Sequence, residues 1–327
     1  MKALVTGSAG HLGEAMIRTL NASNQPVLGI DILESPLTHR VGTIVDRDFV
    51  RACMQGVDTV YHTATLHKPH VATHTPQQFI DTNISGTLNL LQEAVSAGVK
   101  RFIFTSTTSV FGDALIPPPG SPAEWITEET RSIPKNIYGV TKEAAENLCQ
   151  LYHRNFKLPC IVLRTSRFFP EDDDNKKMRD VYTSDNLKAN EYLFRRVDIE
   201  DTVTALLAAA EKAESIGFGK YIISATTPFT PEDLPLLRTD AAAVVKHLFP
   251  RYEEVYAKLG WKMFQHIDRV YVNTLALKEL GWQPHRDFAD LLARLSAGGT
   301  IQSPLAQSIG CKGYHEEEFT EGPYPVH

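Results

Sequence analysis

The chain of 327 residues carries a net charge of −6, with 43% hydrophobic and 22% charged residues. This length and composition are typical of one large α/β unit with an appended lobe and ample material for a core. The charge balance excludes the basic surface expected for nucleic acid or an anionic membrane, and no apolar run approaches the roughly 20 residues that span a bilayer.

The start of the chain and its cysteines both favour a cytoplasmic location. Residues 2–5 enter an apolar run at once, which leaves no room for a signal peptide. The cysteines have neither metal nor redox spacing and are predicted to be reduced and mostly buried. They are Cys53, Cys149, Cys160 and Cys311.

A glycine-rich turn follows the first apolar run. Residues 2–5 predict a strand, and apolar residues recur at helical spacing over 15–20. Between them, Gly7 permits a tight turn, Gly10 lets the backbone approach a pyrophosphate, and Gly13 allows close helix packing. The helix N-terminus then attracts the phosphates. An ordinary glycine turn is the alternative, but its place directly after an N-terminal strand favours a dinucleotide site.

Asp31 ends the second predicted strand, 26–30, and lies 18 residues after Gly13. A carboxylate at this distance accepts hydrogen bonds from the adenosine ribose and repels a 2′-phosphate. The nearest arginine that follows is Arg40, so NAD is favoured over NADP. Alternatively, Asp31 only caps the next turn.

Further strands are predicted at 41–45 and 58–62. Asp46, which opens a helix, is predicted to be an N-cap, an adenine contact or both. The alternation of strands and helices predicts a doubly wound parallel sheet, whose ligands gather at the carboxyl ends of the strands.

A histidine-rich segment follows the fourth strand, with His62, His67, His70, His74 and Lys68. A metal site is disfavoured, because the spacings match no familiar zinc pattern and no cysteine accompanies them. A solvated loop rim with one or two side chains facing a substrate is the preferred interpretation. His67 and Lys68 are the predicted substrate contacts.

The long helix predicted over 76–97 carries a polar residue, Asn83, near its middle. This side chain is either exposed or ties the fourth and fifth strands together through backbone hydrogen bonds. A strand predicted over 101–107 follows and ends at Thr107, whose hydroxyl it presents at the carboxyl end.

Tyr138 and Lys142 are four residues apart and lie on one helix face. A fixed ammonium nearby favours the phenolate, so the pair can accept a proton near neutral pH. An isolated pair of this kind is more often a surface tyrosine beside a solvated lysine. The upstream glycine turn favours the catalytic interpretation.

The rest of the chain predicts loops, strands and a mainly helical lobe. Residues 117–122 form a proline-rich loop and 171–177 a charged turn exposed to solvent, and the last 30 or so residues show no periodicity and wrap the surface or a neighbouring subunit. Strands are predicted at 159–164 and 220–224, and helices at 198–213, 241–248, 251–259, 274–280 and 288–295. We assign 1–165 and 198–224 to a Rossmann domain, and 166–197 and 225–327 to a smaller mixed substrate-binding lobe with the tail.

Together these motifs resemble the extended short-chain dehydrogenase/reductase family, in its NAD-dependent sugar epimerase/dehydratase group. The motifs run in the family's order: TGSAGHLG (6–13), Asp31, Asp46, HTAT (62–65), NISGTLNLL (83–91), TST (105–107), Tyr138 with Lys142, VDIED (197–201) and LGWQP (280–284).

The resemblance implies an NAD-dependent oxidoreductase or epimerase that acts on a secondary alcohol. Tyr138 would remove the hydroxyl proton, Lys142 would hold the nicotinamide ribose and lower the pKa of the tyrosine, and Thr107 would bind the reacting oxygen, while NAD takes the hydride. The implied cofactor-binding residues are Gly7, Gly10, His11, Leu12, Asp31, Asp46, Ala64, Asn83, Thr105, Tyr138 and Lys142. A homodimer through the 76–97 and Tyr138 helices is also implied.

Departures from the family narrow the reaction. Thr108 and Ser109 stand where dehydratases carry Asp-Glu and decarboxylating relatives carry Glu, and the cysteine of double-epimerising reductases is missing. Oxidation–reduction at one carbon remains, with 4-epimerisation as the leading reaction. A dehydrogenase that releases NADH is the alternative, and a non-catalytic NAD sensor is a third.

The substrate lobe departs as well. Only about 26 residues separate Phe169 from the 197–201 motif, in which Asp198 replaces the usual histidine. Arg195, Arg196 and Arg269 are predicted either to bind a diphosphate or to pair with the acidic loops. A nucleotide sugar and a smaller sugar or hydroxy acid are therefore weighed equally as the substrate.

Overall fold

The computed structural model describes residues 2–313 and 319. Its strands are β1 (Ala3–Thr6), β2 (Val27–Asp31), β3 (Arg40–Val41), β4 (Thr59–His62), β5 (Arg101–Thr107), β6 (Glu124–Ile126), β7 (Cys160–Thr165), β8 (Phe218–Ile223) and β9 (Arg269–Tyr271). Seven of them form a parallel sheet in the order β3-β2-β1-β4-β5-β7-β8. The strand order reverses beside β1, so the predicted doubly wound fold class is confirmed.

Helices cover both faces of this sheet and build the lobe. They are α1 (His11–Ala22), α2 (Arg47–Cys53), α3 (Pro76–Phe79), α4 (Gly86–Ala97), α5 (Ile137–Phe156), α6 (Lys176–Val181), α7 (Ser184–Glu191), α8 (Ile199–Ile216), α9 (Leu234–Leu237), α10 (Ala241–Leu248), α11 (Tyr252–Leu259), α12 (Thr274–Leu280), α13 (Phe288–Ser296) and α14 (Pro304–Ile309).

Alternate strand residues supply the two cores on either side of the sheet. Val5 and Ile103 face α1 and α8, whereas Leu4 and Phe102 face α2, α4 and α5. Because successive side chains of a strand point to opposite faces, a sheet covered on both sides needs continuous apolar strands. The central strands therefore bury nearly all of their residues.

Two predicted elements were wrong in detail. The third strand is only β3, because the chain from Gly42 leaves the sheet to reach Asp46, which caps α2. The helix predicted over 76–97 is interrupted by a π-helical segment, Ile80–Ser85, between α3 and α4. This segment contains Asn83, and π turns within helices often occur at functional sites.

A separate hydrophobic core holds the lobe together. Leu193, Phe264 and Phe288 belong to it, and β6 pairs with β9 in parallel at its edge. Ala123, from the segment that the prediction assigned to the Rossmann domain, is also buried in this core. The chain between β5 and α5 therefore contributes to the lobe. The domain boundaries at 165, 198 and 224 remain predictions.

The C-terminal segment contains a helix that the sequence did not predict. Ser303 caps α14 by accepting a hydrogen bond from the Ala306 amide (3.1 Å), and its hydroxyl donates to Asp198 (2.6 Å). Leu305 and Ile309 of this helix pack against the core that contains α1 and α8. A short capped helix of this kind leaves little periodicity in the sequence. The predicted wrapping of the remaining tail falls outside the described residues, apart from Phe319.

The cysteines are free thiols, with Cys53, Cys149 and Cys160 buried and Cys311 exposed. Within residues 2–313 and 319, no helix combines the length and the apolar character that crossing a membrane requires.

Candidate active site

A cleft of about 1680 Å³ lies between the sheet and the lobe. Turns at the carboxyl ends of β1, β2, β4 and β5 form one half of it, where the fold places ligands. Most of the predicted site residues line this cleft, namely Gly7, Gly10, His11, Leu12, Asp31, Ala64, His67, Lys68, Thr105, Thr107, Tyr138, Arg195 and Arg269. Asn83 and Lys142 are buried behind its surface, whereas Asp46 is exposed and lies outside the cleft lining.

The glycine turn after β1 is tightly packed. Gly7 has φ +73°, and a Cβ on it would lie 2.8 Å from the amide nitrogen of Ala64. A Cβ on Gly13 would lie 1.9 Å from the carbonyl oxygen of Gly7. Gly7 is therefore required by both conformation and space, and Gly13 by the closeness of α1 to the turn. Gly10 precedes α1 and has no side chain with which to obstruct its N-terminus.

Asp31 is held at the rim of this turn. Its carboxylate accepts hydrogen bonds from the amides of Ala9 (2.9 Å) and Leu33 (3.0 Å). This places a negative charge beside the glycine turn, as the ribose prediction requires. Asp46 instead caps α2 through the amides of Asp48 and Phe49, so its predicted capping role is present, whereas the adenine contact has no support in the cleft lining.

His62 has a structural place. It is buried at the end of β4, and its ring nitrogens bond the hydroxyls of Thr6 (2.8 Å) and Thr87 (2.9 Å). Burial, with a smaller effect of Lys142, lowers the pKa of His62 well below its usual value. His62 is therefore part of the core, and the solvated loop that the sequence predicted begins after it. In the described residues, no group of three or more His, Cys, Asp or Glu side chains is placed to hold a metal ion.

Asn83 connects the chain after β4 to α5. Its side chain accepts from the Leu66 amide (2.9 Å), donates to the Leu66 carbonyl (2.9 Å) and donates to the Thr141 hydroxyl (3.0 Å). Both alternatives predicted for Asn83 were wrong, because its side chain is buried and its second partner lies on the helix that carries Tyr138, not on the fifth strand. Asn83 therefore supports the site from behind.

Thr107 and Tyr138 line the cleft, and Lys142 is buried behind it. Thr107 ends β5 and accepts the Ser109 amide (3.1 Å), while Asn136 caps α5 two residues before Tyr138 by accepting the Gly139 amide (3.1 Å). The Lys142 ammonium donates to the Thr105 carbonyl (2.6 Å) and lies 4.1 Å from the centre of the Phe104 ring. The strand and the helix thus bring the hydroxyl, the phenol and the amine together.

The pKa values of Tyr138 and Lys142 differ from the prediction. Burial raises the pKa of Tyr138 to about 12, opposed by a hydrogen bond with Thr107. Burial lowers the pKa of Lys142 to about 7, opposed by the charge of Glu146. The expected lowering of the Tyr138 pKa by Lys142 is therefore not present in the protein alone. The lysine instead lies behind the cleft, bonded to Thr105.

Features of the described residues fit a dinucleotide at this site. The Thr105 hydroxyl is buried without a hydrogen-bond partner in the described part of the chain, although Thr105 lines the cleft. Buried polar atoms are rarely left unpaired, so this oxygen indicates a missing ligand. The glycine turn at the N-terminus of α1 suits the diphosphate, and Asp31 suits the ribose.

The other half of the cleft is formed by an ion-pair network. Asp173 and Asp174 are buried and pair with Arg167, and Asp174 also accepts from Lys68 (2.6 Å). Although burial favours the protonated form, Arg167 and Lys68 hold the pKa of Asp174 well below its usual range. The prediction of a solvated turn over 171–177 was wrong for Asp173 and Asp174, which fold back onto the cationic side chains of the cleft, whereas Asp172 and residues 175–177 are exposed.

Glu191 is the centre of this network. Its fully buried carboxylate pairs with Arg167 (2.9 Å), Arg195 (2.7 Å) and Arg196 (2.8 Å). Burial favours protonation, but the arginine charges outweigh it and hold the pKa of Glu191 well below its usual range. Arg196 also donates to the Phe169 carbonyl (3.0 Å) and is an internal ion-pair partner, not a cleft residue.

Arg195 and Arg269 keep unsatisfied donors beside the cleft. The Nε atom of each is buried and has no hydrogen-bond partner in the described residues. Burial lowers the pKa of Arg195, opposed by the charge of Glu191 and reinforced by the charges of Arg167 and Arg269. His67 stacks on Phe169 with ring centres 5.3 Å apart. Burial, followed by the charge of His70, lowers the pKa of His67, so this ring is neutral at physiological pH.

Sequence reasoning missed Arg167, Phe169 and Glu191. The first two follow β7 at its carboxyl end, the edge at which ligands gather, so position alone could have indicated them. Glu191 carries no such signal, since it lies in a polar helix whose burial depends on the lobe.

Residues 3–223 match the sequence model of the NAD dependent epimerase/dehydratase family. The match covers more than half of the chain, which therefore belongs to this family. The predicted NAD dependence and enzyme class are thus confirmed.

Two curated relatives illustrate the range of the family. The dTDP-glucose 4,6-dehydratase of Streptomyces antibioticus is 26% identical over 90% of this chain and 91% of its own length. The UDP-glucose 4-epimerase of Streptomyces lividans is 30% identical over 45% of this chain and 46% of its own length. This chain spans between 36% and 55% of the lengths of several such relatives.

A solved structure shares the fold. A short-chain dehydrogenase/reductase superfamily protein from Agrobacterium tumefaciens with bound NAD superposes with a TM-score of 0.65 at 21% identity. The superposition covers 91% of this chain and 96% of that one.

Proposed function

We propose that the protein oxidises a secondary alcohol of a sugar or nucleotide sugar and re-reduces the resulting ketone, as a 4-epimerase does. The observation that carries this proposal is that Thr107 and Tyr138 line the cleft that also holds the glycine turn, with Lys142 bonded to Thr105 directly behind them. A protein that only bound NAD would not need these three groups together.

Each of the three residues has a defined task. The Tyr138 oxygen takes the proton of the substrate hydroxyl, and the Thr107 hydroxyl orients that substrate oxygen. The Lys142 ammonium stabilises the phenolate electrostatically. When bound, NAD accepts the hydride and later returns it. Because burial holds the pKa of Tyr138 at about 12 in the protein alone, proton transfer requires that the loaded site bring further positive charge near the phenol.

The chain after Thr107 favours oxidation–reduction at a single carbon. Thr108 and Ser109 line the cleft beside it, and neither side chain can act as the acid or base that elimination of water needs. The relatives include both a dehydratase and an epimerase. The side-chain chemistry at 108 and 109 supports the epimerase reaction.

Arg195 and Arg269 support a substrate that carries an anionic group. Both residues line the cleft, and their buried Nε atoms have no hydrogen-bond partner in the described residues. Arginine forks match phosphate and carboxylate oxygens. A nucleotide diphosphate sugar and a sugar acid both meet this requirement. His67 and Lys68, on the same side of the cleft, are proposed to contact the sugar.

A net dehydrogenase of a small sugar is the second candidate. The short chain between β7 and α8, with α6 and α7 as its helices, leaves less protein to surround a nucleotide than the family's nucleotide-sugar enzymes have. Such an enzyme would release NADH at each turnover.

The first experiment is to identify the cofactor retained by purified protein and to add neutral, acidic and nucleotide sugars while following NADH absorbance. An epimerase interconverts sugars without net NADH, whereas a dehydrogenase accumulates NADH. Bound NAD without turnover on every sugar would instead support a sensor.

Replacing Tyr138→Phe tests the catalytic assignment directly. We expect turnover to fall by about 10²–10⁴-fold while NAD stays bound. Tyr152→Phe is the matched control, because Tyr152 is buried on the same helix but outside the cleft. Activity retained in Tyr138→Phe would refute the assignment.

We also propose a homodimer through α4 and α5. Val140 and Leu151 on the exposed side of α5, and Ile80 just before α4, are large apolar residues that remain accessible in the single chain. Light scattering of wild type and of Val140→Glu/Leu151→Glu tests this contact, with a monomeric wild type counting against it. The predicted cytoplasmic location is tested by cell fractionation.

A further inference from the structure

A buried carboxylate lies behind the proposed catalytic residues. Glu146 is fully buried on α5, one turn after Lys142 and two turns after Tyr138. It accepts hydrogen bonds from Arg164 Nη2 (2.7 Å) and Arg164 Nε (3.0 Å), and the Lys220 ammonium lies 3.1 Å away. Burial favours protonation of Glu146, but Arg164 lowers its pKa below the usual value.

The same carboxylate holds the catalytic strand. The Ser106 hydroxyl donates to Glu146 at 2.6 Å. Ser106 stands on β5 between Thr105, whose carbonyl accepts from Lys142, and Thr107, the proposed substrate ligand. A single carboxylate on α5 thus fixes the strand residue that separates these two contacts.

The pKa of Lys142 depends on few charges other than that of Glu146. Tyr138 and Cys149 lie on its own helix, and His62 and His67, on β4 and the loop after it, are neutral because burial lowers their pKa values. Among the described groups, Glu146 opposes the effect of burial on Lys142 most strongly, with Cys149 next. Since the pKa of Lys142 is about 7 even with Glu146 opposing burial, the loss of Glu146 would leave the amine mostly neutral.

We propose that Glu146 is a positioning residue for the reaction, which keeps the Lys142 side chain charged and fixes the Thr105–Thr107 segment against α5. This inference rests on the catalytic roles proposed above for Tyr138, Thr107 and Lys142. It assigns the Glu146–Arg164–Lys220 cluster a task beyond joining α5 to β7 and β8.

The test follows the titration of Lys142 in the NAD-loaded protein by NMR of ¹³C-labelled lysine, with the signal assigned by its loss in Lys142→Arg. Glu146→Gln should lower the midpoint of the titration by about one pH unit or more. Glu146→Asp, which keeps the charge, should restore most of this shift. Glu143→Gln is the matched control, because it removes a carboxylate from the same helix beside Lys142 and should leave the midpoint unchanged.

An unchanged Lys142 midpoint in folded Glu146→Gln would overturn the proposal and leave Glu146 a purely structural ion-pair partner. If Glu146→Gln does not fold, Lys220→Met replaces it. Removing the half-buried cation beside Glu146 should raise the midpoint, and an unchanged midpoint would again refute the proposal. No substrate enters this measurement, so its failure is distinguishable from failure of the Tyr138→Phe experiment.

Discussion

The two halves of the cleft are built from different kinds of contact. The half around the glycine turn, where we propose that NAD binds (the cofactor half), consists of turns at strand ends, such as Gly7 beside Ala64 and Asp31 beside Ala9. The opposite half, where we propose that the substrate binds (the substrate half), consists of charged side chains drawn from distant parts of the chain, as in the pair of Lys68 and Asp174, which are 106 positions apart. The first half depends on backbone geometry and the second on electrostatic balance.

Because of this difference, we expect the two halves to be sensitive to different kinds of substitution. A glycine turn tolerates changes of charge around it but not an added side chain. The ion-pair network should tolerate changes of shape at its edge but not the loss of its central carboxylate, because arginines that lose a shared buried partner are strongly destabilising.

The largest effect on stability is expected from Glu191→Gln. This change leaves Arg167, Arg195 and Arg196 without their shared buried partner, and should reduce the free energy of unfolding at pH 7 by about 3–5 kcal/mol. Glu232→Gln, an exposed position in the lobe, is the control and should change it by less than about 0.5 kcal/mol. Urea denaturation measures both variants, and a loss as small as the control's would contradict the central role of Glu191.

The stability difference between wild type and Glu191→Gln should also depend on pH. The pKa of Glu191 is lower in the folded protein than the unfolded value of about 4.3, so its stabilisation is complete above about pH 5 and is lost as the pH falls. The difference in the free energy of unfolding between wild type and Glu191→Gln should therefore become smaller as the pH falls from about 5 to about 2. A difference that does not depend on pH would show that the charge of Glu191 is not responsible for the stabilisation.

Gly7→Ala should have an intermediate effect and tests the cofactor half. The φ of +73° and the close Ala64 amide together should cost about 1–3 kcal/mol of stability, and NAD affinity should fall about tenfold or more. Gly56→Ala is the control, since Gly56 has φ +69° with open space around its Cβ position. It should lose about 1 kcal/mol and bind NAD normally. Equal NAD affinity in both variants would show that the close approach at Gly7 is unimportant.

The smallest effect is expected at Asp31. Asp31→Asn removes the charge that repels a 2′-phosphate and should improve NADP binding relative to NAD by about tenfold. Glu34→Gln, which removes an exposed carboxylate from the same rim, should leave this ratio unchanged. Calorimetric titration with both cofactors measures the ratio, and equal affinity of the wild type for NAD and NADP would contradict the prediction.

Individual residues show how much of the candidate site could be predicted from the sequence. Gly7, Asp31, Thr107, Tyr138 and Lys142 were predicted from spacing, and all but Lys142 line the cleft, with Lys142 directly behind it. The protonation of the trio was not predictable, because desolvation depends on how closely α5 packs against β5. Asn83 was noticed as polar, but its partner Thr141 could not be predicted without the path of α5.

The sequence by itself determined the doubly wound sheet and the cofactor and predicted the catalytic trio, since these depend on local periodicity and on turns adjacent to strands. The tertiary structure decided the substrate half of the cleft. The acidic run at 171–174 reads as a solvated turn until Arg167, Lys68 and the buried Glu191 are brought beside it. Whether a charge is solvated or paired depends on neighbours remote in the chain, and a local sequence pattern contains no information about which remote residues lie nearby in space.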